Sequence, residues 1–277
     1  MKPSMPSSMS SRSTDSSTKD RGRTRPGRLT RLDELVLRVE RPLLERADDT
    51  LLVDFGVGEW PWTTLEWAQL LRACNGQLRV IGVEVDARRL RHARRLAAGE
   101  VEFRHGSFAL PLARGERARL IRAMNVLRGY SESEAEAARL QLAEALVPGG
   151  LLIEGTSSHS GGVLCAHWLR KRDSALTREA LVFSSDFSQG FAPWLFRDRL
   201  PRDLRRSCRP GSAIHAFFSA WSDAFEAARS TGVRESSALF ALSALALSSR
   251  LSGIVCEPAL IESGTLFWRP PDGVPSA

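Results

Sequence analysis

The sequence predicts a doubly wound α/β fold: a mostly parallel sheet that ends in an antiparallel hairpin and is followed by C-terminal helices. Three observations predict it. Short apolar runs alternate with helix-length segments from residue 51 to residue 154, the pattern of strands joined by crossover helices. The run Leu51-Leu52-Val53-Asp54-Phe55 leads into Gly56-Val57-Gly58, a composition suited to a tight strand-to-helix turn with bare backbone. Beyond Gly155 the rhythm changes. Val163 to Arg170 and Glu179 to Ser184 are strand-like and flank the polar stretch Lys171 to Thr177, which reads as a hairpin and not as another strand–helix–strand unit.

Residues 1–31 contain eight cations and two anions, so most of the net charge of +7 belongs to them and the remainder is nearly neutral. Rich in Ser and Pro and poor in apolar residues, this segment reads as a disordered basic tail. Leu32 to Arg46 follows as a lead-in helix and Leu51 to Phe55 as the first strand. The next helix opens near Thr63, where Glu66 would complete a capping box, and closes at Asn75-Gly76 in a left-handed cap. Arg79 to Glu84 is the second strand, and Asp86 caps a helix that turns Leu90, Ala93 and Ala97 to one face. Val101 to Arg104 and Arg119 to Met124 are the third and fourth strands. Ser131 and Glu134 form another capping box, ahead of a helix with Leu140, Ala143 and Val147 on its apolar face. Pro148-Gly149-Gly150 breaks that helix, and Leu151 to Glu154 is strand five. The rest is mainly helical (Trp194 to Arg206, Ala213 to Ser230, Glu235 to Arg250), with a final strand at Gly264 to Trp268. The division is therefore a tail at 1–31, a sheet domain at 32–190 and a helical extension at 191–277 that packs on the same domain.

Composition removes several function classes. The N-terminus lacks the apolar region of a secretory signal. The longest apolar stretch, Ala238 to Leu247, is interrupted by Ser243 and falls short of the roughly 20 residues that span a bilayer. A soluble cytoplasmic protein is expected, with no membrane partner. Cys74, Cys165, Cys208 and Cys256 form no CxxC pair, and the five histidines show no ligand spacing, so no metal is expected.

The glycine turn narrows the chemistry. The dinucleotide fingerprint carries a third glycine beside a pyrophosphate. Here that place holds Pro61, and Trp60 before it crowds the helix start where phosphates bind. A ligand with ribose and adenine but no phosphate suits the turn better, which disfavours a nicotinamide dinucleotide. Glu84 ends the second strand, where a carboxylate can accept hydrogen bonds from ribose hydroxyls.

On these residues the chain resembles the class I S-adenosylmethionine-dependent methyltransferases, whose first motif, acid-x-Gly-x-Gly, stands here as Asp54-Phe55-Gly56-Val57-Gly58. The run Arg122 to Leu127, followed by Val163 to Ser184, is similar to uncharacterised bacterial methylase-like proteins. The resemblance covers Leu51 to Ser184, about half the chain. It implies a Rossmann-like sheet closed by the hairpin, S-adenosylmethionine as cofactor, and 32–190 as the cofactor-binding domain. It implies that Asp54, Gly56 and Gly58 surround the methionine part and that Glu84 holds the ribose. Ser107 and Phe108 would lie by the adenine, with Ser107 where an acid often stands. Pro148-Gly149-Gly150 matches the turn before strand five.

The sulfonium cofactor carries the difficult step, so the protein need only align an acceptor and exclude water. An unidentified small molecule is the preferred acceptor. Asn125, at the carboxyl end of strand four, is a candidate to orient it or to hold the cofactor, or else caps a strand-to-loop turn. Tyr130 in the same loop is a further candidate, with packing as the favoured role. His159, in the polar loop Thr156 to Gly162, is a candidate base. Val126-Leu127 replaces the two prolines of many amino-methylating enzymes and disfavours that subclass. Two alternatives remain: an RNA methyltransferase tethered by the basic tail, and a catalytically degenerate cofactor-binding scaffold, prompted by Trp60 and Ser107.

Overall fold

The computed structural model describes residues 24–97, 99–173 and 175–270. Nine strands form one sheet in the order β3-β2-β1-β4-β5-β6-β7-β9-β8. The parallel half comprises β1 (Leu51–Phe55), β2 (Arg79–Glu84), β3 (Glu102–His105), β4 (Ala118–Met124) and β5 (Leu146–Ser157). The antiparallel half continues through β6 (Val163–Arg172), β7 (Ala175–Ser185), β9 (Thr265–Trp268) and the two-residue β8 (Ile254–Val255). The architecture is the doubly wound α/β sheet that the sequence predicts, with an antiparallel portion longer than one hairpin. The stretch Lys171 to Thr177 is mostly strand, because its polar residues lie at the solvated end of the hairpin.

Every residue of β1 and β4 is buried, as expected of central strands covered on both faces. One face carries α1 (Thr30–Val39), α2 (Arg41–Leu44), α3 (Trp62–Cys74) and α4 (Ala87–Ala97), which pack Leu32, Val36, Trp67, Leu71 and Leu90 against Leu52, Val80 and Leu120. The other face carries α5 (Glu132–Glu144) over the parallel strands. Over the antiparallel strands lie the 3-10 turn Pro193–Arg199, α6 (Arg202–Ser207), α7 (Ala213–Ser230) and α8 (Ser236–Ser248). The short α9 (Pro258–Glu262) leads into β9.

Local signals fared unevenly. Ser131 and Glu134 make the expected capping box, and Asp86 Oδ1 accepts from the Arg88 and Arg89 amides at the start of α4. The Thr63–Glu66 box does not form. Helix α3 starts at Trp62 after Pro61 without a side-chain cap, and the Glu66 carboxylate accepts instead from the Gly27 amide (2.8 and 3.0 Å). The α3 C-cap Asn75 is extended, not left-handed, and its amide donates to the Leu44 carbonyl. Leu140 is exposed, while α5 buries Ala135, Ala138, Arg139, Leu142 and Ala143. Pro148-Gly149-Gly150 is a bulge within β5, where the β4–β5 register jumps from Ala118↔Leu146 to Leu120↔Leu151.

The largest correction concerns the tail. Residues 1–23 lie outside the described residues, but 24–31 are built into the fold. Arg28 Nε donates to Ser157 Oγ and the Ser158 carbonyl (both 3.1 Å), and the Arg28 backbone lies so close to Gly161 that a Cβ there would collide with it. Arg31 donates to the Ser185 carbonyl (2.7 Å) and to Ser184 Oγ and the Ser263 carbonyl. Two arginines that composition assigns to a solvated tail thus hold the chain across the carboxyl ends of β5 and β7.

Behind β5 and β6, on the α5–α6 side, lies a buried charged cluster. Asp203 accepts from His167 Nε2 (3.0 Å) and from Arg178 (3.3 Å), with Arg139 between Asp203 (3.6 Å) and Glu154 (3.5 Å). Burial lowers the His167 pKa to about 4 against the pull of Asp203, and raises Glu154 to about 7.

Candidate functional site

The strand order places β1 beside both β2 and β4. The chain runs outward from β1 through β2 to β3 and then returns to β4 on the other side. That reversal creates a crevice at the carboxyl ends of β1 and β4, the usual ligand position in open α/β sheets. The glycine turn sits there. Gly56 (φ +84) and Gly58 (φ +77) both adopt left-handed backbone, which side chains with a Cβ enter at a cost.

Asp54 and Glu84 approach this turn in different ways. Asp54 lies beneath it, where Arg122 of β4 grips both its oxygens (2.9 and 2.8 Å) and Thr64 Oγ1 donates to Oδ2 (2.6 Å). The same guanidinium reaches Asp33 of α1 (2.5 Å) and the Thr63 carbonyl (2.9 Å), and lies over the Trp67 ring (4.4 Å). Burial pushes Asp33 up to about 7 despite Arg122. Burial also opposes the charge on Arg122, yet Asp33 and Asp54 outweigh it and hold the guanidinium above its ordinary pKa. Asp54 is thus the anchor of a buried ionic group that fastens α1, α3, β1 and β4 together under the turn.

Glu84 touches the turn itself. Its Oε2 accepts from the Gly58 amide (2.7 Å) and its Oε1 from the Asp86 amide (2.9 Å). A carboxylate has about four acceptor positions, so two remain for a pair of ribose hydroxyls. The residue is 3% exposed. Val85 beside it is 60% exposed, and its carbonyl lies 2.8 Å from His105 Nε2. This joins the loops after β2 and β3 and leaves an apolar side chain on their rim.

Ser107 is exposed. Phe108 packs between Phe55 (5.1 Å) and Tyr130 (5.5 Å, edge-on). Tyr130 is 37% exposed, and its carbonyl accepts from Arg202 (2.8 Å). Asn125 takes a left-handed conformation (φ 64) and commits its amide to Ser157: Oδ1 accepts from the Ser157 amide (2.9 Å) and Nδ2 donates to Ser157 Oγ (3.0 Å). That is the strand-to-loop cap allowed for in the sequence. Val126 follows and lies over Gly56, where a Cβ on the glycine would strike it. His159 is exposed, and among the described residues its side chain makes no hydrogen bond. The structure thus gathers Asp54, Gly56, Gly58 and Glu84 at one turn, sets Asn125 against it through Val126, and groups Phe108 with Tyr130, while His159 lies in the loop two residues beyond Ser157, the partner of Asn125.

Sequence reasoning missed Arg122 and Asp33 as supports of the turn. The signal was an arginine inside the apolar strand Leu120-Ile121-Arg122-Ala123-Met124, since a buried cation demands acidic partners. It placed Trp60 at the α3 start but missed its partners there: Trp60 stacks on Trp62 (6.0 Å) and meets His92 edge-on (4.8 Å).

Comparison with known proteins returned no matching family model and no matching curated protein. Among solved structures, magnesium protoporphyrin IX methyltransferase from Synechocystis PCC 6803 with bound SAH matches at 20% identity and a TM-score of 0.36, over 47% of this chain and 55% of that one. Coclaurine N-methyltransferase bound to N-methylheliamine and SAH matches at 17% and 0.35, over 48% of this chain and 35% of that one. The [4+2]-cyclase SpnF matches at 22% and 0.35, over 46% of this chain and 44% of that one. The chain therefore spans 35–55% of these three, and overlaps of this degree assign it no activity. Among the described residues, no helix is long and apolar enough to cross a membrane.

Proposed function

We propose that the protein is an S-adenosylmethionine-dependent methyltransferase acting on a small-molecule acceptor. The observation that carries this reading is the contact between the Glu84 carboxylate and the Gly58 amide at the switch-point crevice. It brings a ribose-type acceptor to the edge of a left-handed glycine turn with no third glycine. In this reading Gly56 and Gly58 let the cofactor lie against bare backbone, Glu84 binds the ribose, and Val85, Ser107 and Phe108 border the base. The bound cofactor would supply an activated methyl group. The chain's own part is to orient the acceptor and exclude water beside Asn125 and Tyr130.

A second reading, a scaffold without transferase activity, is favoured by a specific observation. Val126 covers Gly56, and the Asn125 amide and both Glu84 oxygens are already engaged within the protein. The RNA reading gains nothing from Arg28 and Arg31, which are turned into the fold.

Calorimetric titration of the full chain with S-adenosylhomocysteine tests the cofactor site that both readings share, and a methyl-transfer assay separates them. Saturable binding is expected, weakened roughly 10- to 150-fold in Glu84→Ala, because hydrogen bonds to a charged group contribute about 1.5–3 kcal/mol. No binding by the unaltered chain would remove both the methyltransferase and the cofactor-binding scaffold, binding of S-adenosylmethionine without methyl transfer would favour the scaffold, and equal affinity in the variant would remove Glu84 from the ribose role.

A further inference from the structure

Helix α4 carries five arginines and no acid, and it buries Leu90, Ala93 and Ala97. Two of the arginines are committed nearby. Arg94 donates to the Phe103 carbonyl (3.0 and 2.6 Å), and Arg89 lies 3.8 Å from Asp86, the acid that caps the helix. The other three, Arg88, Arg91 and Arg95, are exposed. Spaced three and four residues apart, they share one face, opposite the buried one. The Arg88 and Arg91 side chains make no hydrogen bond or ion pair among the described residues, and Arg95 reaches the His92 ring nitrogen Nδ1 (3.4 Å). Like charges at these spacings destabilise a helix, so the pattern works against folding unless an anion lies over it.

Aromatic side chains adjoin this face. His92 stands between Arg88 and Arg95, one helical turn from each. Trp60 meets its ring edge-on (4.8 Å), and Trp62 stacks on Trp60 (6.0 Å). Both tryptophans are half-buried, so indole surface and guanidinium groups reach solvent side by side. Of the nearby acids, Asp86 is occupied by Arg89 and the α4 amides, and Glu59 stands next to Trp60 in sequence. Surplus cations on one face favour a polyanion. The indoles choose among polyanions: a single strand offers base faces for stacking, whereas a duplex keeps its bases inside and a lipid surface has none.

We propose that the outer face of α4, with Trp60 and Trp62 at its edge, binds single-stranded nucleic acid. Phosphates lie along Arg88, Arg91 and Arg95, and a base lies against the indole pair. Gly56, Gly58 and Glu84 take no part in this surface, and neither do Arg28 and Arg31, which are turned into the fold.

The test is fluorescence anisotropy of a fluorescein-labelled oligouridylate titrated with the full chain at several salt concentrations. Saturable binding is expected. The triple variant Arg88→Gln, Arg91→Gln, Arg95→Gln changes exposed side chains only. It should flatten the dependence of log affinity on log salt by about 2, because each phosphate contact on a single strand contributes about 0.7. The cations of residues 1–31 are present in every chain compared and cancel from this difference. Trp60→Ala should weaken the single strand at least about fivefold while leaving the salt dependence unchanged, since stacking carries no charge. Absence of binding, a salt dependence unmoved by the three arginine substitutions, or an affinity unmoved by Trp60→Ala would each overturn the proposal. Binding to phosphatidylserine vesicles without binding to the oligonucleotide would assign the face to a lipid surface and overturn it as well.

Discussion

Two buried carboxylates, Asp33 and Asp54, share one cation, Arg122. Removing one member of a buried ionic group leaves uncompensated charge and costs about 3–5 kcal/mol. Arg122→Met is therefore expected to lower the unfolding free energy by about that much in urea titrations, and a loss below about 1 kcal/mol would show that the group is not a fastening. His167 gives a residue-scale pH dependence. Unfolded, it takes a proton near pH 6.5, whereas burial holds it to about 4 in the fold. Between those values the unfolded state binds more protons, so stability falls as pH drops from about 6.5 towards 4. His167→Gln should lose about 2 kcal/mol less than the unaltered chain between pH 7 and 4.5. Parallel pH profiles would remove His167 as the source. At this scale the positions of Asp54, Gly56, Gly58 and Glu84 were legible because strand ends and glycine turns are local patterns. The partners of Asp54 and Asn125 were not, since Arg122 and Ser157 lie 68 and 32 residues away.

Among the elements, the short stretch ahead of α1 has the most unexpected part. Gly27 and Arg28 tie it to α3 and to the end of β5, and Arg31 in the first turn of α1 reaches the end of β7, so these residues fix where α1 lies and hence where Asp33 meets Arg122. A chain of residues 32–277 is expected to be about 3–9 kcal/mol less stable than one of residues 24–277, from two or three hydrogen bonds to charged groups lost together. Equal denaturation midpoints would mean that the segment merely rests on the surface. The same comparison explains which element boundaries the sequence disclosed. The Ser131–Glu134 box closes within one turn and was legible. The Thr63–Glu66 box reads just as well on paper, but Gly27 captures Glu66 from 39 residues away. Local propensity sets an element's ends only where no distant group competes for the same atoms.

The whole molecule is organised by one continuous sheet, and this determines whether residues 191–277 can be removed. Strand β9 inserts between β7 and β8. Phe183 of β7 is enclosed by Phe196, Phe217, Phe218 and Trp221, all from the C-terminal part. Val163, Cys165 and Leu181 join it in the same buried cluster. Burying a large apolar side chain contributes about 1.5–3 kcal/mol, so stripping the cover from these four costs on the order of 5–10 kcal/mol, comparable to the whole stability of an ordinary domain. A chain ending at residue 190 should therefore show no cooperative thermal transition by circular dichroism and should bind a hydrophobic dye, whereas the full chain melts in one step. A cooperative melt of the shortened chain would make the helical part an independent addition. The opposite result would mean that the crevice at the carboxyl ends of β1 and β4 depends for its rigidity on aromatic residues at the far side of the same sheet.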